Sequence, residues 1–235
     1  MRKFIAAIAL GASCIAVQAQ VVVPNVSTNT IGGTWYAPFP AAGTNSLTYR
    51  MTMDAGQLTA LVGQDITSVQ FRYSILPGLG MPGSWPATNI VIPNFSISMG
   101  SAISPAIGST ALFNGTPTSV RTGSLSIAAN SYVAVDPFNP TNWIPAITFD
   151  TPFHYTGGDL GIEYVVSPLP VGTPQITFDA ILGNQGYGTD FRAWSSGGSG
   201  GGAAAFVTKF NAVPEPMSLV VLGFGALALV RRRKS

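Results

Sequence analysis

Apolar and polar positions alternate with a period of two through much of residues 20–212. Between residues 67 and 75, Val69, Phe71, Tyr73 and Ile75 fall on one face and Ser68, Gln70, Arg72 and Ser74 on the other. That is the mark of a strand with one face in a core. Phe95, Ile97 and Met99 alternate with Ser96 and Ser98, and Leu125 and Ile127 with Ser124 and Ser126. Leu160, Ile162, Tyr164 and Val166 share a face opposite Gly161, Glu163 and Val165. Ile176, Phe178 and Ala180 predict a further strand, as do Phe206, Thr208 and Phe210, and the runs 132–135 and 146–149.

Turn residues punctuate these runs at Pro77-Gly78, Pro82-Gly83, Gly157-Gly158 and 184–188. Residues 54–61 predict one short helix, with Asp54 as N-cap and Gly63 near its end. The Gly-rich stretch 195–202 reads as a long hairpin turn, which leaves 211–214 as a linker. Eight or more short strands with long connections predict an all-β fold, an antiparallel two-sheet sandwich of jelly-roll type.

Both ends of the chain break the pattern. Arg2 and Lys3 precede an apolar run over 4–17, and Val17-Gln18-Ala19 offers the small residues that a signal peptidase reads. This predicts an N-terminal signal helix over 1–19, passage through the Sec translocon, and a cut between Ala19 and Gln20. The alternative is a lipoprotein signal ending at Cys14, the only cysteine. Lipid attachment favours a Leu-like residue three positions before the Cys. Here that residue is Gly11, and Leu10 stands one place too far. After a cut at Ala19 the protein holds no cysteine, so neither disulfide nor thiolate chemistry is open to it.

At the other end, Pro214-Glu215-Pro216 precedes an apolar run over 219–230. Its apolar side chains are Leu219, Val220, Val221, Leu222, Phe224, Leu227, Leu229 and Val230. Arg231, Arg232, Arg233 and Lys234 follow directly as a stop-transfer cluster. The prolines lack N–H donors, so the motif is expected to be extended and to join neither helix nor sheet. The run is helix-compatible but brief. Even 14 residues cover only about 21 Å of a hydrocarbon core of about 30 Å.

The order Pro214-Glu215-Pro216, short apolar helix, basic cluster resembles the PEP-CTERM sorting signal of Gram-negative bacteria that make extracellular polysaccharide. It covers about a tenth of the chain. The resemblance implies recognition by an exosortase in the inner membrane, transient anchoring there, and cleavage near the motif. The other reading of the tail is a permanent anchor. Within the body, Ile66-Thr67-Ser68-Val69-Gln70-Phe71-Arg72, Asn94-Phe95-Ser96-Ile97-Ser98 and Ile147-Thr148-Phe149-Asp150-Thr151-Pro152-Phe153-His154-Tyr155-Thr156-Gly157-Gly158-Asp159-Leu160 are similar to a β-sandwich type of secreted bacterial proteins with such tails. That second likeness implies fold and compartment, not an activity.

The chain's net charge of +2 comes from its ends. Between Gln20 and Ala212 stand five cations, Arg50, Arg72, Arg121, Arg192 and Lys209, against eight acids, a net of −3. No basic patch remains for nucleic acid.

Catalytic chemistry finds little support. His154 is the only histidine, and no G-x-S-x-G elbow accompanies it. Zinc held by several histidines is excluded by that count. Asp159 and Glu163 are the candidate acid pair for glycoside hydrolysis. On one strand they would stand roughly 13 Å apart, against the ~5–10 Å such chemistry uses. Calcium candidates are Asp136 with Asn139 and Asn142, or Asp150 with Asp159, without an EF-hand spacing. Trp35, Trp85, Trp143 and Trp194 lie beside turn residues or in loops; they are candidates for stacking on sugar rings, or they plug the ends of the core.

The resulting expectation has three parts: a signal peptide (1–19), a β-sandwich (20–212) and a sorting segment (213–235). The protein is expected at the cell surface or in the extracellular matrix. The expected role is structural or adhesive, with extracellular polysaccharide as a partner, and no catalytic residue, metal or cofactor is assigned. A secreted hydrolase acting on polysaccharide or ester is the alternative.

Overall fold

The computed structural model describes residues 19–35, 39–74, 83–103, 112–133, 136, 139–181, 191–196 and 205–214, and for 34–35 and 191–196 the backbone alone. The expected signal helix up to residue 18, and the sorting segment from Glu215 onward, lie outside the described residues, as do the turns at 77–78 and 184–188.

Strands carry the described chain. In order they are β1 (Ala19–Val23), β2 (Gly33–Trp35), β3 (Leu47–Met53), β4 (Gln64–Phe71), β5 (Tyr73–Ser74) and β6 (Ser84–Trp85). Then come β7 (Ile90–Ile92), β8 (Phe95–Ser101), β9 (Thr118–Arg121), β10 (Leu125–Ile127), β11 (Tyr132–Val133) and β12 (Ile147–Tyr155). The last are β13 (Leu160–Val166), β14 (Thr177–Ile181), β15 (Phe191–Ser196), β16 (Ala205–Phe206) and β17 (Thr208–Pro214). Every strand pairing is antiparallel. The fold is all-β and sandwich-like. A four-stranded sheet runs β1-β17-β4-β12, and a five-stranded sheet β15-β3-β13-β8-β9. A third sheet, β16-β14-β2 with β5 on β14, and two short ribbons complete it.

The inward faces match the alternation. On β8, Phe95, Ile97 and Met99 are buried while Ser96 and Ser98 stay half-exposed. On β13, Leu160, Ile162, Tyr164 and Val166 are buried opposite Glu163 and Val165. The core these faces meet in is rich in aromatics. Phe71 packs edge-on against Tyr164, Phe178 and Phe206 with ring centroids 5.5–6.1 Å apart. Such geometry adds to plain burial because ring edges are positive and faces negative. Burial pushes the Tyr132 and Tyr164 hydroxyls far above the usual phenol range.

Four expectations need correction. Residues 54–61 form two 3-10 turns, Ala55–Gln57 and Thr59–Leu61, not one α-helix. Asp54 does cap the first, its carboxylate accepting from Gly56 N. The stretch 195–202 does not close a hairpin, because β15 pairs with β3 whereas β16 pairs with β14. The polar faces of 67–75 and of β14 are not solvent faces: Ser68, Arg72, Ser74, Thr177 and Asp179 are all buried. The segment after Asp136 covers that side, with Gln70 donating to Ile144 O and Tyr73 N to Asn142 O. Finally, 211–214 is strand, not linker.

Candidate functional site

β1 pairs with β17 in the register Ala19↔Ala212, Gln20↔Asn211, Val21↔Phe210. In an antiparallel pair the start of one strand lies beside the end of the other. The expected signal cut and the expected sorting motif therefore leave the fold at one end. β17 runs along β4 as far as Val213↔Asp65 and Pro214↔Gln64. Pro214 thus joins a sheet, contrary to the expectation from its missing N–H. Among the described residues Pro214 pairs with Gln64 of β4, and proline is tolerated in a strand where its missing N–H is not called on.

The same end carries a turn tied down by backbone and carboxylate bonds. Gly63 sits at φ +72, where a Cβ would be strained, and donates its N–H to Tyr155 O at 2.8 Å. Asp159 accepts from Ala55 N at 3.0 Å. Tyr155 donates its hydroxyl to Gly158 O. Burial, with the Asp159 and Asp54 carboxylates adding to it, pushes that hydroxyl up to about 12.

His154 lies across from Asp65 in the β12–β4 register, with its Nδ1 3.0 Å from Asp65 Oδ1. The acids near it in sequence are engaged elsewhere: Asp150 accepts from Thr122 N, and Asp159 caps Ala55. Asp159 and Glu163 do not converge as an acid pair, because Glu163 binds Arg50 Nε at 2.6 Å. Around Asp136, Asn142 Nδ2 donates to the Asp136 carbonyl and Asn139 Oδ1 accepts from Thr141. These oxygens close a turn. Among the described residues, no group of three or more His, Asp or Glu side chains is gathered as a metal site.

The four tryptophans part company. Trp85 is 1% exposed, packs between Phe39 and Tyr132, and donates Nε1 to Pro174 O at 2.9 Å. A buried indole cannot stack on a sugar, so Trp85 is a core residue. Trp143 is half-buried, with Arg72 Cζ 4.7 Å and Lys209 Nζ 4.6 Å from its ring centre. Its ring is already engaged by cations. Burial, then the Arg72 charge, holds the Lys209 ammonium below the usual lysine range. Trp35 takes its place on β2 opposite Phe178, and Trp194 on β15 opposite Arg50.

The alternation gave no sign of one feature: Arg72 and Asp179 form an ion pair at 2.7 Å with side chains 1% and 0% exposed. Arg72 also donates to Thr30 O at 2.7 Å and to Ser27 O, and Asp179 Oδ1 accepts from Gly32 N at 2.8 Å. Burial lowers the Arg72 guanidinium, with Asp179 opposing, and raises Asp179 to about 6, with Arg72 opposing. Opposite charges at 72 and 179 on otherwise polar faces were the only available signal. A separate cavity of about 310 Å³ lies between residues 86–91 and 170–174, and no titratable side chain lines it.

Compared with known proteins, the chain matches no family model, no curated protein and no solved structure.

Proposed function

We propose that this is an exported, non-enzymatic surface or matrix protein whose β domain is released from the inner membrane by processing at its C-terminal end. The two-sheet order of jelly-roll type, and helices within 1–18 and over 219–230, belong to this reading. So do the translocon, signal peptidase and exosortase as successive partners.

One observation carries most weight. The Ala19↔Ala212 pairing lets a chain with both ends held at a membrane fold without threading. Only Glu215, Pro216, Met217 and Ser218 separate the last paired residue from Leu219. Fully extended, that is about 17 Å of chain. Before processing, the domain's terminal end sits close against the bilayer, and the first residue of the motif, Pro214, is held in β17.

Deleting residues 215–235, which spares β17, tests the reading in cells. The expected result is a folded domain no longer delivered to the surface by the normal route. Unchanged delivery and unchanged processing would reject it.

A further inference from the structure

The two ends of the domain leave it side by side, which spares the chain any threading, but the two tethers beyond them differ in length. Ala19 and Gln20, which flank the expected signal cut, are both strand residues of β1, paired with Ala212 and Asn211 of β17. β17 then runs on towards the tail, to Pro214 opposite Gln64. At about 3.3 Å per residue, Ala19 is set back roughly 7 Å from that end of the sheet.

In the export reading both apolar runs sit in lipid, where a segment must be helical to satisfy its own backbone. The run 219–230 rises about 18 Å, and the extended stretch back to Pro214 adds about 17 Å. Together they carry Pro214 just clear of a hydrocarbon core of about 30 Å. The signal segment reaches less far. The run 4–17 rises about 21 Å, and Gln18 and Ala19 add about 7 Å. With Arg2 and Lys3 held on the cytoplasmic side, Ala19 stays at the hydrocarbon boundary. With the strands upright and Pro214 at that same boundary, docked β1 needs Ala19 about 7 Å above it, so an uncut signal segment falls short by about 9 Å.

Lifting β1 off β17 does not supply the missing length, because a strand is already extended. The slack comes only from releasing the residues behind it as well, and Arg72 holds those by the carbonyls of Ser27 and Thr30. Docked β1 also hides the bond to be cut. Ala19 and Gln20 are paired to β17, and Val21 and Val23 next to them are buried, so a protease reaches the bond only when the strand opens. Chain order leaves time for the cut. β1 pairs with no other described strand, and β17 is the last strand of the described chain, so β1 has no partner until the C-terminal strand has been delivered.

We propose that the signal cut is the trigger that closes the sheet. While the signal segment is attached and inserted, β1 and the stretch to Thr30 stay off the fold. Water adds across the Ala19–Gln20 amide, leaving a carboxylate on Ala19 and an amino group on Gln20. β1 then docks on β17, and Arg72 takes its two carbonyls. This rests on the export reading and adds an order to it, the cut first and the closure second.

The test follows docking by a disulfide between β1 and β17, in cells making the full chain with Cys14→Ser, Val22→Cys and Lys209→Cys. Val22 and Lys209 are directly paired. Such residues have Cβ atoms about 4.5–5.5 Å apart, so mild oxidation joins them with little movement. Three chains are compared. One has its normal signal segment. One carries Ala19→Tyr, which blocks a peptidase that reads small residues. One carries Ala19→Tyr with an insert of about ten Gly and Ser residues before it, spanning roughly 17 Å. The uncut chain should cross-link about tenfold less than the cut chain, and the insert should restore most of the cross-link with the signal segment still attached. Because the third chain keeps Ala19→Tyr, its recovery shows that the substitution itself does not block folding. Equal cross-linking of the cut and uncut chains overturns the proposal, as does an insert that restores nothing. A normal chain that is never cut overturns the export reading and the proposal together, whereas a normal chain that is cut, with all three cross-linking equally, overturns the order alone.

Discussion

Arg72 and Asp179 meet at 2.7 Å in the interior, where β4 gives way to β5 and both strands' neighbours change sheet. The pair clamps the stretch that follows β1: Arg72 takes the carbonyls of Ser27 and Thr30, and Asp179 the N–H of Gly32. Removing one member leaves the other charge buried and alone. Arg72→Met should cost about 3–5 kcal/mol in urea unfolding. The double variant Arg72→Met with Asp179→Leu should lose less than that single one. Strictly additive losses would show that the two residues act independently.

The same pair sets a pH dependence. Asp179 binds its proton more tightly folded, at about 6, than at its ordinary 3.8. Its contribution to stability is therefore fully present below about 4 and is lost as pH rises through about 6. The stability of the parent minus that of Asp179→Asn should fall over that window and level off above it. Chemical denaturation from pH 4 to pH 7.5 measures the difference, and a difference that rises with pH would contradict the assignment.

The Phe113 ring packs against Gly161 of β13. Gly161→Val should displace Phe113 and Leu112 and lower stability by about 1–3 kcal/mol, since a Cβ alone would already stand 3.0 Å from Phe113 Cε1 and 3.1 Å from Leu112 Cγ. The half-exposed Glu163 is a contrast. Glu163→Gln should cost no more than about 1 kcal/mol, because its ion pair with Arg50 is partly solvated. Thermal melts of the two variants compare these costs directly.

β1 is short, but Val21 and Val23 are buried and it covers one edge of β17. A chain beginning at Pro24 should be destabilised by about 3–6 kcal/mol from the two lost side chains alone. A chain beginning at Gln20 should melt as the full-length protein does. Equal melting of the two truncations would mean that β1 contributes nothing.

The strands were legible because a half-buried sheet writes its core face into every second residue, as on β8 and β13. The buried polar faces were not. Arg72 and Asp179 look like solvent-facing residues until the sheet corner brings them together from 107 positions apart. Trp85 beside a proline resembled a loop side chain, yet aromatics at the ends of a sandwich find more burial inward than outward. Pro214 was read as a strand breaker because the sequence does not reveal how far β17 runs along β4. The Arg50–Glu163 pair joins residues 113 positions apart on two strands, so no local pattern announced it.

The central claim is that the β domain is the part that remains, cut free at both of the ends that share one edge of the fold. Intact-mass measurement of the protein recovered from producing cells tests it most directly. The account predicts a chain beginning at Gln20, ending beyond the last strand, and lacking the basic residues 231–234. A mass that includes those residues would contradict it.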